Sequence, residues 1–361
     1  MKKFAAILAL ILIVSCASPN TRPVTFGAVL TLTGFASMWG ENAQNGMELA
    51  REEINAAGGI NGKPLEIIYE DYKDLDLKLA ATAAQRFTSV DKVNVILTQF
   101  TGDTEVVYPT AKQNNIITLD VAGGAKDLTK KGLLLFRVWP SDELLVKNVV
   151  DYAFAHGAKT AAILGEDEAY FNSLRAINEE YWEEKTGTKL SVYVVPLQTT
   201  DLRTPLSKIK EQNPDVLFFQ TTTLLEGLAL KQAKEIGLSP RLMIGIQTSD
   251  DPTVITTAQD AAEGLVYPDY APSSSEFIQK YTAKYGKASG VPADAAYDAV
   301  NLLANVMREH GTSTEQIAAG LYATTDYPGA SGSITIDETG DRVSRDLVLK
   351  VIRNGKGEVL K

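Results

Sequence analysis

The stretch 24–71, VTFGAVLTLTGFASMWGENAQNGMELAREEINAAGGINGKPLEIIYED, constrains the fold more than any other part of the chain. Residues 24–30 (VTFGAVL) are apolar and β-rich with almost no break, as a parallel strand buried on both faces requires. Thr31-Leu32-Thr33-Gly34 ends that strand with hydroxyls and a glycine. Beyond the loop, Ala43, Met47, Ala50, Ile54 and Ala57 recur at steps of four and three, which places them on one stripe of a helix that Gly58-Gly59 stops. Asn61-Gly62-Lys63-Pro64 then turns the chain back into a second strand over 65–69. Strand, crossover helix and parallel strand make a βαβ unit. The loop after its first strand opens on the carboxyl edge of the sheet, where open α/β sheets bind ligands. Trp39-Gly40 falls in that loop, placed to cover a small molecule.

The pattern repeats along the chain. Leu75, Leu79, Ala83, Phe87 and Val90 form a second helical stripe, and 93–97 is the next buried strand. It runs into Thr101-Gly102-Asp103-Thr104 at the start of a helix through Asn114. Free backbone N–H groups and the helix dipole favour an anionic ligand group there, and a cap made by Asp103 or Thr101 explains the same residues equally well. The strand 116–119 ends in Asp120-Val121-Ala122-Gly123-Gly124, where two glycines either let backbone approach a ligand or make a plain turn. After a strand at 133–137, Val138-Trp139-Pro140-Ser141-Asp142 looks like a first crossing into another lobe, and strands at 160–165, 191–195, 216–220 and 241–246 alternate with helices. Tyr170 opens one of those helices, where it can pack the helix start. Thr221-Thr222-Thr223 opens another, as caps or as ligand contacts. A second crossing is expected over 264–272 and a third near Gly332, followed by strands at 333–336 and 347–353. The expected fold class is α/β, with two lobes, each a mostly parallel sheet with helices on both faces, joined by three crossovers. The first lobe takes 24–139 and 270–331, the second 140–269 and 332–361.

At 361 residues and 45% hydrophobic content the chain can bury two cores. A net charge of −10 and the lack of a basic stretch after the leader argue against nucleic acid. The one cysteine, Cys16, lies behind a positive start, Met1-Lys2-Lys3, and an apolar run over 4–14 too short to span a bilayer as a permanent helix. Residues 1–15 read as a signal peptide and 16–23 as a short tether.

Gly34, Trp39-Gly40, Asn45-Gly46 and above all the INAAGGING of 54–62 together resemble the opening of the leucine/isoleucine/valine-binding proteins, type I periplasmic binding proteins that deliver solutes to ABC transporters. YTAKYG at 281–286 and PADAAYDAV at 292–300 continue the likeness. Ile13-Val14-Ser15-Cys16 likewise resembles a bacterial lipobox, with ordinary signal cleavage nearby as the alternative; acylation of Cys16 would anchor the chain to a membrane outside the cytoplasm. The resemblance implies hinge closure on a small-molecule solute and recognition by an ABC permease. It implies ligand contacts at Trp39, at Thr101 and Gly102 for a carboxylate, at Ala122, Gly123 and Gly124, and at Tyr170, Thr222 and Gln247 from the second lobe. The sequence departs from the amino-acid binders where they carry a threonine at Gly124, a glycine at Phe171, an aromatic at Thr222 and a carboxylate at Gln247. A buried ammonium without a counter-charge costs several kcal/mol, so either Asp250 or Asp251 substitutes or the solute lacks that group. An amino-acid-like solute is the first expectation, and a carboxylate or amide the next.

Enzyme readings lack their parts. His156 and His310 fall near helix ends, and HExxH, G-x-S-x-G and GxxxxGK[ST] are absent. A dinucleotide-dependent oxidoreductase would need a G-x-G-x-x-G after Leu30. No metal or cofactor is expected. A ligand-sensing receptor subunit using the same cleft is the alternative from another class.

Overall fold

The computed structural model describes residues 22–343 and 345–360. Cys16 and the leader lie outside them. Strands β1 (Val24–Leu30), β2 (Leu65–Asp71), β3 (Val95–Thr98), β4 (Ile117–Asp120) and β5 (Leu135–Arg137) form a parallel sheet in the order β2-β1-β3-β4-β5. Helices α1 (Ser37–Ala56), α2 (Leu77–Arg86) and α3 (Thr101–Gln113) are its crossovers. Apolar side chains of α1 fill the core on one face of this sheet, with Val107 and Ala111 of α3 and Phe87 on the other.

The second half runs α4 (Glu143–Ala155), β6 (Ala161–Glu166), α5 (Ala169–Thr186), β7 (Ser191–Val195), α6 (Arg203–Gln212), β8 (Val216–Gln220), α7 (Thr223–Glu235), β9 (Leu242–Ile244), α8 (Pro252–Ala258) and β10 (Val266–Tyr270). The chain then returns to the first sheet with α9 (Ser275–Tyr285), α10 (Ala293–His310), α11 (Thr314–Tyr322) and the hairpin of β11 (Tyr327–Gly329) and β12 (Gly332–Ile334). It ends with β13 (Leu347–Arg353) and β14 (Lys356–Val359) in a second sheet ordered β14-β13-β10-β9-β8-β6-β7. Leu206, Leu225 and Val254 pack one face of that sheet, and Val149, Leu174 and Trp182 the other. Each sheet is thus a filling between two helical layers.

Five local expectations need correction. Helix α1 starts at Ser37, so Trp39 stands in its first turn rather than in the preceding loop, and Ala57 is an exposed cap, not part of the apolar stripe. On α2 the buried residues are Ala80, Ala83 and Ala84, while Leu79 and Val90 face solvent. The segment expected as a mere second crossing contains β10, which pairs antiparallel with β13 and touches β9 only at Val266. Pro268 lacks an N–H and so cannot extend the ladder to β9. Gly332 does not open a strand of the second sheet: β12 pairs only with β11, and Ile334 and Ile336 pack in the core of the first lobe. Among the described residues no helix is long and apolar enough to cross a membrane.

Candidate functional site

The carboxyl ends of both sheets face one cavity of about 670 Å³, within the range of pockets that take small organic ligands. Its first-lobe wall comes from the turn into α1, with Phe35, Met38 and Trp39, and from the start of α3, with Phe100, Thr101 and Gly102. The second-lobe wall comes from the start of α5, with Glu168 and Tyr170, the start of α7, with Thr222, and the end of the β9 strand segment, with Ile246 and Gln247. Trp39 leans on Phe100 with ring centroids 5.2 Å apart. Of the residues singled out in the sequence, Trp39, Thr101, Gly102, Ala122, Tyr170, Thr222 and Gln247 line this cavity. Gly123 and Gly124 do not.

The reason lies in how the loop after β4 is held. The Asp120 carboxylate accepts the N–H of Ala122 at 3.0 Å, the N–H of Gly123 and the Thr104 hydroxyl. Burial pushes Asp120 up to about 6 against those hydrogen bonds and the nearby Arg137. The buried Arg137 guanidinium donates to the carbonyls of Gly123 at 2.8 Å and Ala125 at 2.7 Å and pairs with Asp341 at 2.6 Å. Gly123 therefore has both backbone groups engaged. Gly124 abuts Asp142: a Cβ at Gly124 would come within 1.9 Å of the Asp142 Oδ2 and 3.0 Å of the Tyr170 ring. The space a threonine would fill there is taken by another side chain.

Asp142 was not visible as a site residue in the sequence. Its buried carboxylate accepts from the Trp139 indole at 3.0 Å and the Tyr270 hydroxyl through Oδ1, and from the Tyr170 hydroxyl at 2.6 Å and Gln247 Nε2 at 3.2 Å through Oδ2. Gln247 Nε2 also donates to the Tyr170 oxygen at 2.7 Å. Burial raises the Asp142 pKa, while these donors and the charge of Arg137 pull it back. The signal that could have found it is the Trp-Pro-Ser-Asp crossing itself, since an acidic residue at a buried hinge must be solvated by neighbours.

At α3 the capping alternative is realised by Asp103, which accepts the N–H groups of Gln99 at 2.8 Å and Phe100 at 2.7 Å. Burial and the nearby Asp120 hold its pKa well above the usual carboxylate range. The buried Thr101 hydroxyl has one long contact, 3.4 Å from the Ala125 nitrogen. Thr222 precedes α7 without a side-chain cap bond, and its N–H is held by Glu166 at 2.5 Å. At α5 the cap is Glu168, whose Oε2 accepts the Tyr170 N–H at 2.8 Å. Asp250 and Asp251, considered as substitute counter-charges, are placed elsewhere: Asp250 accepts from Tyr267 and Asp251 caps α8. Among the described residues no group of three or more histidines, cysteines and carboxylates is gathered as a metal site would need.

A family model described as periplasmic binding protein matches residues 23–356. The chain belongs to that family. Its members are solute-binding proteins that work outside the cytoplasm. Among relatives of this periplasmic binding protein, the leucine-, isoleucine-, valine-, threonine- and alanine-binding protein of Pseudomonas aeruginosa is 26% identical, over 88% of this chain and 87% of its own length. A Leu/Ile/Val-binding protein of Rhizobium johnstonii is 24% identical over 92% of each chain. The fold is shared with a leucine binding protein from Thermotoga maritima, at a TM-score of 0.86, 24% identity and coverage of 94% and 98% of the two chains. It is shared too with a solute-binding protein of an ABC transporter from R. palustris crystallised with benzoate, at a TM-score of 0.82, 17% identity and coverage of 94% and 95%.

Proposed function

We propose that this periplasmic binding protein captures a small amino-acid-like or carboxylate solute between its lobes and delivers it to the permease of an ABC transporter, without converting it. The observation that carries this reading is the single cavity walled by the carboxyl ends of both sheets, with Trp39 and Thr101 on one side and Tyr170, Thr222 and Gln247 on the other. A solute that touches both walls favours the closed arrangement by its differential affinity for it. The relatives' names, branched-chain amino acids above all, support a solute of this size.

In this reading the first lobe comprises 24–139 and 270 to about 342, and the second the remainder; the packing of Ile334 and Ile336 in the first core supports a last crossing beyond Gly332. A lipid on Cys16 would hold the protein at the membrane through the 16–23 tether. Mass spectrometry of the mature protein, with Cys16→Ala as control, tests the anchor.

The direct test of function is a thermal-shift screen of amino acids, short-chain and aromatic acids, amides and sugars, since binding to the folded form raises the midpoint. Trp39→Ala is expected to weaken the best hit by about tenfold or more, as loss of a buried aromatic contact of roughly 1.5–3 kcal/mol implies. Thr101→Ala should weaken it as well. No shift from any solute, or turnover of the one that binds, would remove the proposal.

A further inference from the structure

The charge lining the cavity is one-sided. Among the described residues its wall holds Asp103, Asp167 and Glu168, and no lysine, arginine or histidine. Asp103 spends both carboxylate oxygens on the start of α3. Asp167 is exposed and accepts from Asn172. Glu168 differs from both. Its Oε2 caps α5, while Oε1 reaches across the cleft to the first lobe, where it stands 3.3 Å from the position a Cβ on Gly102 would take.

The second oxygen of the Glu168 carboxylate, whose pKa burial raises while the N–H groups of Tyr170, Phe171 and Ala169 pull it back, therefore stands beside the start of α3. Backbone donors at Ala122 and Gly123 already serve Asp120, and that of Thr222 serves Glu166. The rest of the wall combines neutral hydroxyl and amide groups, such as Thr101, Thr222 and Gln247, with aromatic and aliphatic surface from Phe35, Trp39, Phe100 and Tyr170. A carboxylate next to aromatic rings, with no base nearby, is complementary to a positively charged nitrogen on an apolar body, which gains both a charge-assisted hydrogen bond and the attraction of the ring faces. The overall charge of −10 biases encounter in the same direction.

We propose that the cleft recognises its solute by a positively charged nitrogen, with Glu168 as the counter-charge and specificity determinant, and rejects solutes whose only charge is a carboxylate. This rests on the solute-binding function above and narrows it to amines and amine-bearing, amino-acid-like molecules.

The test is calorimetry on the mature protein with two matched series: isoamylamine, leucine, isocaproate and isoamyl alcohol; phenethylamine, phenylalanine, hydrocinnamate and phenethyl alcohol. In at least one series the amine or the amino acid is expected to bind about tenfold or more tighter than both the acid and the alcohol. Glu168→Gln keeps an acceptor for the Tyr170 N–H, and should weaken the amine by about tenfold while leaving the acid unchanged or improved. The amine-against-alcohol comparison needs no variant, so it decides the matter even if Glu168→Gln folds poorly. Tighter binding of the acid than of the amine and amino acid overturns the proposal and leaves the solute-binding function standing. Unchanged amine affinity in a folded Glu168→Gln protein also overturns it. Absence of binding by either series and by the wider screen removes both.

Discussion

Asp142 has four donors and, among the described residues, no cation in contact, an arrangement that stabilises a buried carboxylate only while every donor is present. Tyr170→Phe leaves Oδ2 with the 3.2 Å bond from Gln247 alone. The variant is expected to lose about 1–3 kcal/mol of unfolding free energy in urea titration; a loss below a few tenths would show that the hydroxyl is dispensable. A second buried carboxyl gives a pH signature. Glu226 accepts from Ser249 at 2.7 Å, its Oε2 has no partner, and burial, aided by Asp250 and Asp251, pushes it up to about 8. A carboxyl whose folded pKa lies above its unfolded value, near 4.5 here, holds its proton more tightly in the folded state. It favours folding fully below about 4.5, and that contribution is lost as pH rises through about 8. Glu226→Gln should therefore flatten the fall in stability across this window relative to wild type, by an amount on the order of a few kcal/mol. Parallel profiles for the two proteins would exclude Glu226 as the source. Asp120 and Asp298, each pushed up to about 6 by burial, contribute to both profiles alike. Trp39, Thr101 and Gln247 line the cavity; strand ends in an α/β sheet mark the edge on which they lie, and the family resemblance is what singles out Thr101 and Gln247 there. Asp142 and Glu168 were not legible in the sequence, because their importance arises from partners far along the chain: Tyr270 for the one and Gly102 for the other.

At the scale of elements, the alternating strands and helices were legible because buried parallel strands are continuous apolar runs and their helices carry a stripe. The failures have physical causes. Strand β10 was hidden by Pro268, which reads as a breaker but is tolerated where only one neighbour needs an N–H. Strand β14 was missed although Asn354-Gly355, both at positive φ, is the turn that a tight hairpin favours. The Asn45-Gly46 pair, noticed as a family feature, acquires a mechanical meaning. A Cβ at Gly46 would lie 2.0 Å from the Ala293 carbonyl oxygen, so α1 and α10 pack backbone to backbone there. Because a backbone atom cannot rotate away, Gly46→Ala is expected to cost about 1–3 kcal/mol of stability through forced separation of the helices. Denaturant midpoints measure this, and an unchanged midpoint would mean that the helices part freely. Solute affinity should be little altered, since Gly46 lies outside the cavity wall.

At the scale of the whole molecule, the lobes already touch across the cleft. The Lys126 N–H of the first lobe donates to Ser173 Oγ on α5 at 2.9 Å, and its ammonium lies 3.3 Å from Glu143 and 3.7 Å from Glu180. These partly exposed pairs are weak individually, with salt bridges of this kind contributing about 0–1 kcal/mol. They bias closure without dictating it, and leave the deciding increment to the solute. Small-angle scattering should show a smaller radius of gyration when solute is added, and Ser173→Ala should enlarge that of the unliganded protein. Identical scattering with and without a bound solute would exclude closure as the response. The two-lobed plan was legible because the strand-helix pattern restarts after Trp139; the exact return to the second sheet was not, because the hairpin of β11 and β12 looks the same in sequence as strands joining a larger sheet.

The placement of the tryptophans has a practical side. Trp39 borders the cavity, Trp139 donates to the hinge carboxylate, and Trp182 is sealed in the second lobe. The protein thus carries native fluorophores at its mouth and at its pivot, beside a third in a constant environment, so that occupancy can be followed by intrinsic emission without attaching a dye.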